Sequence, residues 1–181
     1  MENQRFADRI RMACAELSRT ASLTGSALCA ALNIVLNQLV IPVGPMLEIG
    51  FAFLANASCA FLFGPFSAAL MAGAADILGY FLRPNGPFFP GFVLNAILAG
   101  LFYGLWLYKK PVTLVRTFCA CLTVVLVINL CLTPLWLHIM YGNTAIISTA
   151  RLVKNIIKLP VDALLLYTTL KAAERLRTNR R

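Results

Sequence analysis

Long apolar stretches separated by short, turn-rich breaks constrain the fold of this chain more than any other feature. They run over about 23–41, 47–63, 66–82, 88–108, 114–136 and 148–171. A helix needs about 17–25 mainly apolar residues to cross the hydrocarbon core of a bilayer, and each stretch meets that length. Because 60% of the 181 residues are hydrophobic and only 13% are charged, a soluble domain of this size would have too little interior to bury them. The sequence therefore predicts an all-α integral membrane protein with six transmembrane helices in one bundle.

Lys and Arg residues are divided unevenly between the two ends of these predicted helices. Six spans put both termini on one side of the membrane, and twelve of the sixteen Lys and Arg residues fall on that side. Positive charge concentrates in the cytoplasmic segments of membrane proteins. We therefore expect both termini in the cytoplasm and the first half of the sixth helix in the outer leaflet.

The sixth apolar stretch carries a stripe of polar side chains on one face. Its members are Arg151, Lys154, Asn155, Lys158 and Asp162. On a helix they fall within an arc of about 100°. A charged residue at mid-bilayer costs roughly 2.5 kcal/mol or more, so such residues usually face a cavity, a partner or a substrate. The stripe itself holds three cations and one acid, which favours an anionic ligand; the alternative is a stripe neutralised by Asp76 and Glu48 of other helices.

Further polar and aromatic residues are predicted at membrane depth or on the same outer side. They are Asp76, Phe88, Phe89, Phe92, Asn95 and Trp136. A carboxylate within a membrane helix is a functional candidate by default. The phenylalanines form either an interfacial aromatic belt or a stacking wall for a flat ligand. We expect these residues and the polar stripe to converge on one ligand-binding site that opens outward.

Several classes of function are not expected from this sequence. It has no P-loop spacing, its six cysteines show no metal-ligand spacing, and it contains a single histidine. We therefore expect neither a metal site nor a cofactor, and we read the cysteines as free thiols. The net charge of +9 mostly flanks the apolar stretches, so nucleic acid is not the expected partner. Nucleotide hydrolysis within this chain is not expected either.

A resemblance to a known family rests on three motifs. From Leu62 the chain reads LFGPFSAALMAGAADILGYFLRPNGPFFPGFVLNAILAGLFYGLWLYKK, and from Ala150 it reads ARLVKNIIKLP. Ala27 and Ala31 add a small-xxx-small pair to the first helix, which lets another helix approach closely. Together these motifs resemble the folate family of substrate-binding S components of energy-coupling factor (ECF) vitamin transporters, over about residues 22–170.

The resemblance implies a protein that captures a vitamin outside the cell and topples in the membrane to release it inside. Its implied partners are a membrane coupling protein and two cytoplasmic ATPases, and Ala27 and Ala31 match the motif that docks on the coupling protein. The implied location is the plasma membrane of a prokaryote, as a multi-pass protein. Residues 1–20 are then an amphipathic or flexible cytoplasmic segment, 21–173 the substrate-binding domain and 174–181 a basic cytoplasmic tail.

The resemblance also implies folate as the ligand. From the chemistry of this ligand we assign substrate binding to Arg151, Lys154, Asn155, Asp76, Phe88, Phe89, Phe92, Asn95 and Trp136. The two carboxylates of folate suit the cations, since an Arg guanidinium binds a carboxylate through two hydrogen bonds. Its flat rings suit the aromatic side chains, and its pterin edge suits the carboxylate and the amides.

Two alternatives stay open on the sequence. The chain is an S component for another water-soluble vitamin or precursor, although a cation such as thiamine would sit poorly beside three cations. The other alternative is a membrane scaffold or enzyme. A membrane enzyme would need an acid/base pair or a metal set, and neither is evident in the sequence.

Overall fold

The computed structural model describes residues 20–44, 47–84, 87–142 and 149–178, and its helices form one bundle. In chain order the helices are α1 (Thr20–Gln38), α2 (Ala52–Phe63), α3 (Pro65–Leu82), α4 (Pro90–Leu107), α5 (Leu114–Val124), α6 (Thr133–Tyr141) and α7 (Thr149–Thr178). A π-helical segment, Val125–Leu132, joins α5 to α6 without a break. Since α5, this segment and α6 form one long helix, the prediction of six helices is confirmed for the described residues.

Four of these helices are long and apolar enough to cross a membrane. They are α1, α3, α4 and the continuous helix over Leu114–Met140. Helix α2 is apolar but has only 12 residues, and α7 has 30 residues but carries the charged stripe. These two helices fall short of a membrane span for different reasons. Helix α2 is too short, whereas the apolar surface of α7 is broken by charged side chains that need a polar environment.

A β-hairpin joins α1 to α2, where the sequence predicted only a loop. Strand β1 (Val40–Gly44) pairs antiparallel with β2 (Leu47–Gly50), and Val40 lies opposite Gly50. The second helix therefore begins at Ala52 and not, as predicted, at about Leu47. The short apolar run before Ala52 was read as the start of a span, but β-branched residues such as Ile41 and Ile49 favour extended strands.

Helices α3 and α4 pack with their backbones in contact. A Cβ atom added at Gly100 would lie 2.7 Å from the carbonyl oxygen of Ala68, and one added at Gly104 would overlap Pro65. Both positions require glycine because no side chain fits between the helices. Because the two helices run antiparallel, the contact of Ala68 with Gly100 also fixes which residues lie at the same level of the bundle. Asp76, eight residues after Ala68, lies level with Phe92, eight residues before Gly100.

Small residues dominate the centre of the bundle. Ala57, Cys59 and Ala68 are fully buried, and Leu107 and Leu166 fill the space beside them. The described cysteines are free thiols, of which Cys59 and Cys121 are buried and Cys131 is exposed. Close helix packing through small side chains is the usual way to stabilise a bundle in a membrane, where burial of apolar surface between helices gains little.

Candidate ligand-binding site

Three of the predicted aromatic residues form one cluster where α4 begins. The ring centroid of Phe89 lies 5.7 Å from that of Trp136 on α6 and 6.1 Å from that of Phe92 on α4. Phe89 has an extended backbone because it precedes Pro90, and a residue before proline is pushed out of the helical region. We call Phe89, Phe92 and Trp136 the aromatic cluster.

Gly91 allows this cluster to form. A Cβ atom at this position would lie 2.7 Å from Cδ2 of Trp136 and would also overlap the ring of Phe89. Any larger residue would push α4 and α6 apart at this end of the bundle. The glycine of the FFPGF motif is therefore needed for close packing of the aromatic rings.

Phe88 does not belong to the cluster. Its ring lies 5.1 Å from that of Tyr80 on α3, and the side chain is exposed. The run of phenylalanines, predicted as either an aromatic belt or a stacking wall, is thus divided. Phe88 packs on Tyr80 of α3, whereas Phe89 contacts Phe92 and Trp136 of α6. This division follows from the extended backbone of Phe89 before Pro90, since successive side chains of an extended segment point to opposite sides.

Asn95 joins the aromatic cluster to α6 through its side-chain amide. Its Oδ1 accepts a hydrogen bond of 3.0 Å from Nε1 of Trp136, and its Nδ2 donates one of 3.2 Å to Oγ1 of Thr133. The side chain of Asn95 is only 7% exposed. Sequence reasoning missed Thr133 as a partner of Asn95, because nothing in the sequence indicates which threonine of a membrane helix faces a polar neighbour.

Asp76 is half-buried on the bundle-facing side of α3. Its helical neighbours Ala72, Gly73 and Gly79 are all buried. Within the described residues the carboxylate has no hydrogen-bond or ion-pair partner. A half-buried carboxylate at membrane depth without a partner is available for the donors of a ligand.

The polar stripe lies on α7, which packs against α2, α5 and the π-helical segment. Asn155 is buried, with 6% of its surface exposed, and its Nδ2 has no hydrogen-bond partner among the described residues. The side chains of Arg151 and Lys154 lie outside the described part of the structure. A buried amide without a partner is costly, so Nδ2 of Asn155 is a donor that lacks an acceptor in the described structure.

Further along the stripe, the charge of Lys158 is neutralised by Asp162 of the same helix. Its Nζ lies 3.6 Å from Oδ2 of Asp162, four residues further on, and 5.7 Å from the ring centroid of Phe53 on α2. Oδ1 of Asp162 is buried without a hydrogen-bond partner in the described structure. The stripe thus has two parts: an ion pair with its own counter-charge, and the first turns, which carry Arg151, Lys154 and Asn155.

The polar residues of the first helix face other helices. The amide of Asn33 donates hydrogen bonds to Ala52 and Asn56 of α2, and the amide of Asn37 lies beside Gly79 of α3. The hydrogen bonds of Asn33 satisfy this buried amide without a ligand, whereas Asn37 is exposed. Within the described residues no three His, Cys, Asp or Glu side chains come together in a way that could hold a metal ion.

A second feature lies on the outer surface of the bundle, between α1 and α3. It is an apolar groove of about 450 Å³, lined by Leu23, Ser26, Ala27, Ala30, Ala31, Ile34, Ser67, Leu70, Met71, Ala74 and Leu78. Ala27 and Ala31 are exposed on its α1 side. Ser67 is buried, and its hydroxyl has no partner among the described residues. A groove floored by small residues accepts the side chains of another helix.

Comparison with known proteins gives consistent matches. The profile of the family described as "ECF transporter, substrate-specific component" matches residues 21–170. The chain is 33% identical over 146 residues to the folate transporter FolT of Clostridium novyi (strain NT), covering 80% of this chain and 85% of that protein. It is 32% identical over 148 residues to the folate transporter FolT of Leuconostoc mesenteroides, covering 78% and 80%.

Two solved structures share the fold. A crystal structure of FolT bound with folic acid superposes with a TM-score of 0.74 at 38% identity, covering 82% of this chain and 90% of that one. A crystal structure of the S-component for biotin from an ECF-type ABC transporter superposes with a TM-score of 0.58 at 22% identity, covering 87% and 91%. At that identity the second match concerns the fold alone.

Proposed function

Because the chain belongs to the family of ECF transporter substrate-specific components, we propose that it is the folate-binding S subunit of such a transporter. The observation that carries the choice of folate is the 38% identity to a FolT whose crystal structure holds folic acid. Members of this family are transporter components in prokaryotic membranes, and the apolar helices of this chain fit a multi-pass membrane protein. In this proposal the chain binds a ligand and hydrolyses no ATP.

The site residues supply the groups that folate requires. Arg151 and Lys154 would bind the two carboxylates of the glutamate tail, and Arg151 offers the bidentate geometry. The aromatic cluster of Phe89, Phe92 and Trp136 would stack on the flat rings, and Phe88 would extend this surface toward α3. These roles are supported by the charge of the α7 stripe and by the ring geometry at the start of α4.

The pterin ring carries both donors and acceptors, and two side chains suit it. The carboxylate of Asp76 would accept hydrogen bonds from the pterin N–H groups, and Nδ2 of Asn155 would donate one to a pterin acceptor. Both lack a partner in the described structure, and Asp76 lies level with Phe92. Asn95 belongs to the same site through its bond to Trp136.

Transport by such a subunit requires partner proteins, and the α1–α3 groove is a candidate docking surface for one of them. We place a membrane coupling protein there, with its helix packed across Ala27 and Ala31, because these residues are exposed and floor an apolar groove. Two cytoplasmic ATPases would drive the cycle through the coupling protein. The chain would capture folate outside, with both termini in the cytoplasm, and topple in the bilayer to release it inside.

Uptake tests this proposal as a whole. Cells that express the chain with a coupling protein and two ATPases should accumulate labelled folate, and excess unlabelled folate should abolish the signal. A matched strain with an ATPase variant that binds but does not hydrolyse ATP should bind folate at the surface without accumulating it. Uptake of another vitamin, with none of folate, would contradict the substrate.

A further inference from the structure

A directional chain of hydrogen bonds connects Trp136 to the main chain of the preceding π-helical segment. Trp136 Nε1 donates to Asn95 Oδ1 over 3.0 Å, and Asn95 Nδ2 donates to Thr133 Oγ1 over 3.2 Å. The Thr133 hydroxyl then donates to the carbonyl oxygen of Ile128 over 2.9 Å. An indole nitrogen can only donate, so Trp136 fixes the orientation of the Asn95 amide and, through it, the direction of the Thr133 hydroxyl.

The π-helical segment makes the carbonyl of Ile128 available to Thr133. In an α-helix this oxygen would accept from the backbone N–H four residues on, at Leu132. Here it accepts both the backbone N–H and the hydroxyl of Thr133, five residues on. Pro134 accounts for the widened turn, since proline has no N–H and clashes with the carbonyl four residues before it. The threonine is thus held at both its backbone and its side chain.

Burial makes this chain of bonds sensitive to the loss of any member. Asn95 and Ile128 are both buried. A buried polar group that loses its partner costs the full desolvation penalty, and linked hydrogen bonds strengthen one another in a medium of low polarity. Removing the Thr133 hydroxyl would leave Nδ2 of Asn95 without its acceptor, and the amide would be free to rotate away from Trp136.

We propose that Thr133 is a positioning residue of the ligand site: it holds Asn95, which in turn orients the ring of Trp136 in the aromatic cluster. Thr133 itself need not touch the ligand. The inference rests on the proposed function for the nature of the ligand. The orientation of Trp136, by contrast, is a property of the protein alone and can be measured without ligand.

Tryptophan fluorescence in a single-tryptophan protein tests this role. Replacement of Trp106, which lies on α4 away from the cluster and near Lys110, by phenylalanine leaves Trp136 as the only reporter. In this background Thr133→Val removes the hydroxyl at nearly constant volume, and Thr133→Ser keeps it. Thr123→Val is the matched control, because the Thr123 hydroxyl donates within its own helix, to the carbonyl oxygen of Cys119 at 2.8 Å, and has no partner on another helix in the described part of the chain.

We expect Thr133→Val to shift the emission of Trp136 in the ligand-free protein and to weaken folic acid binding roughly tenfold. Thr133→Ser and Thr123→Val should behave like the parent in both measurements. Unchanged emission and affinity in Thr133→Val, with folate binding intact in the parent, would overturn the positioning role alone. A shifted emission with unchanged affinity would also overturn it.

If the folded parent protein does not bind folate, the proposed function is overturned. This outcome does not bear on the role of Thr133. The emission of the ligand-free variants would then still decide whether Thr133 orients Trp136. A general loss of folding would lower the thermal stability of Thr133→Val and Thr133→Ser alike. Rescue by serine therefore distinguishes positioning by the hydroxyl from simple packing.

Discussion

The side-chain amide of Asn33 donates a hydrogen bond to the main-chain carbonyl oxygen of Ala52, 2.9 Å away. Asn33 lies in the second half of α1, and Ala52 is the first residue of α2. The bond therefore ties the two helices together at the base of the β-hairpin that connects them. Asn33 is buried, so this polar residue of an apolar helix is satisfied within the protein.

Replacing Asn33 by alanine should destabilise the bundle. The carbonyl of Ala52 and the Oδ1 of Asn56 would both lose a donor, at a cost of about 1–3 kcal/mol. Thermal unfolding of the purified protein in detergent measures the effect. Asn37→Ala is the control: Asn37 is exposed on the same helix, and its loss should leave the melting temperature nearly unchanged. Equal melting temperatures for the two variants would show that the Asn33 bond does not stabilise the fold.

Asn155 should behave in the opposite way. Its Nδ2 is buried without a partner in the described structure, so replacement by the similarly sized leucine removes a buried donor that makes no hydrogen bond there. We expect Asn155→Leu to have an unchanged or higher melting temperature and a folate affinity at least tenfold weaker, about 1.4 kcal/mol. A protein that is destabilised but binds folate normally would contradict the assignment of this amide to the ligand.

The cations of α7 provide a separate test of how the carboxylates are bound. Arg151→Ala should weaken folate binding tenfold or more, on the order of 1.4 kcal/mol, and Arg151→Lys should recover only part of the loss, because lysine cannot form two parallel bonds to a carboxylate. Titration calorimetry with folic acid and with pteroic acid, which lacks the glutamate tail, measures this difference. Unchanged folic acid affinity in a folded Arg151→Ala protein would remove Arg151 from the site.

Docking on the coupling protein should fail when the α1–α3 groove is filled. Ala27→Leu or Ala31→Leu places a larger side chain in the groove, so less coupling protein should copurify, while folate binding by the isolated chain stays unchanged. Ala21→Leu, on the same helix and exposed but outside the groove, is the matched control. Full recovery of the coupling protein with both groove variants would place the docking surface elsewhere.

Ser67 refines the same prediction. Its buried hydroxyl has no partner in the described structure, so Ser67→Ala should not lower the melting temperature of the isolated chain. If the docked helix of the coupling protein supplies the partner, the same substitution should weaken copurification, because hydrogen bonds between helices stabilise association in membranes.

Proline positions made much of the fold predictable. Pro65 and Pro90 both begin helices, as expected for a residue that is favoured in the first turn and breaks an existing helix. The hairpin was missed because the apolar run at Val40–Gly44 continues the composition of α1. Hydropathy does not separate a short strand from the end of a membrane helix, and only the pairing with β2 settles it.

The site was predicted as a set of residues but not as a set of contacts. The pair of Lys158 and Asp162 could have been expected from spacing, since residues four apart are neighbours on a helix, yet both were assigned to the stripe as a whole. The bond from Trp136 to Asn95 spans 41 residues. Such a contact depends on the packing of α4 against α6, which the spacing of residues along a single sequence does not reveal.

The most direct test of the central claim is calorimetric titration of the detergent-purified chain with folic acid, with thiamine as the cationic comparison. Tight one-to-one binding of folic acid without binding of thiamine is the predicted result, because the α7 stripe carries Arg151 and Lys154 in addition to the Lys158–Asp162 pair, and because the site offers aromatic surfaces. Absence of folic acid binding by protein that unfolds cooperatively would contradict the proposed substrate and leave the bundle and its family membership standing.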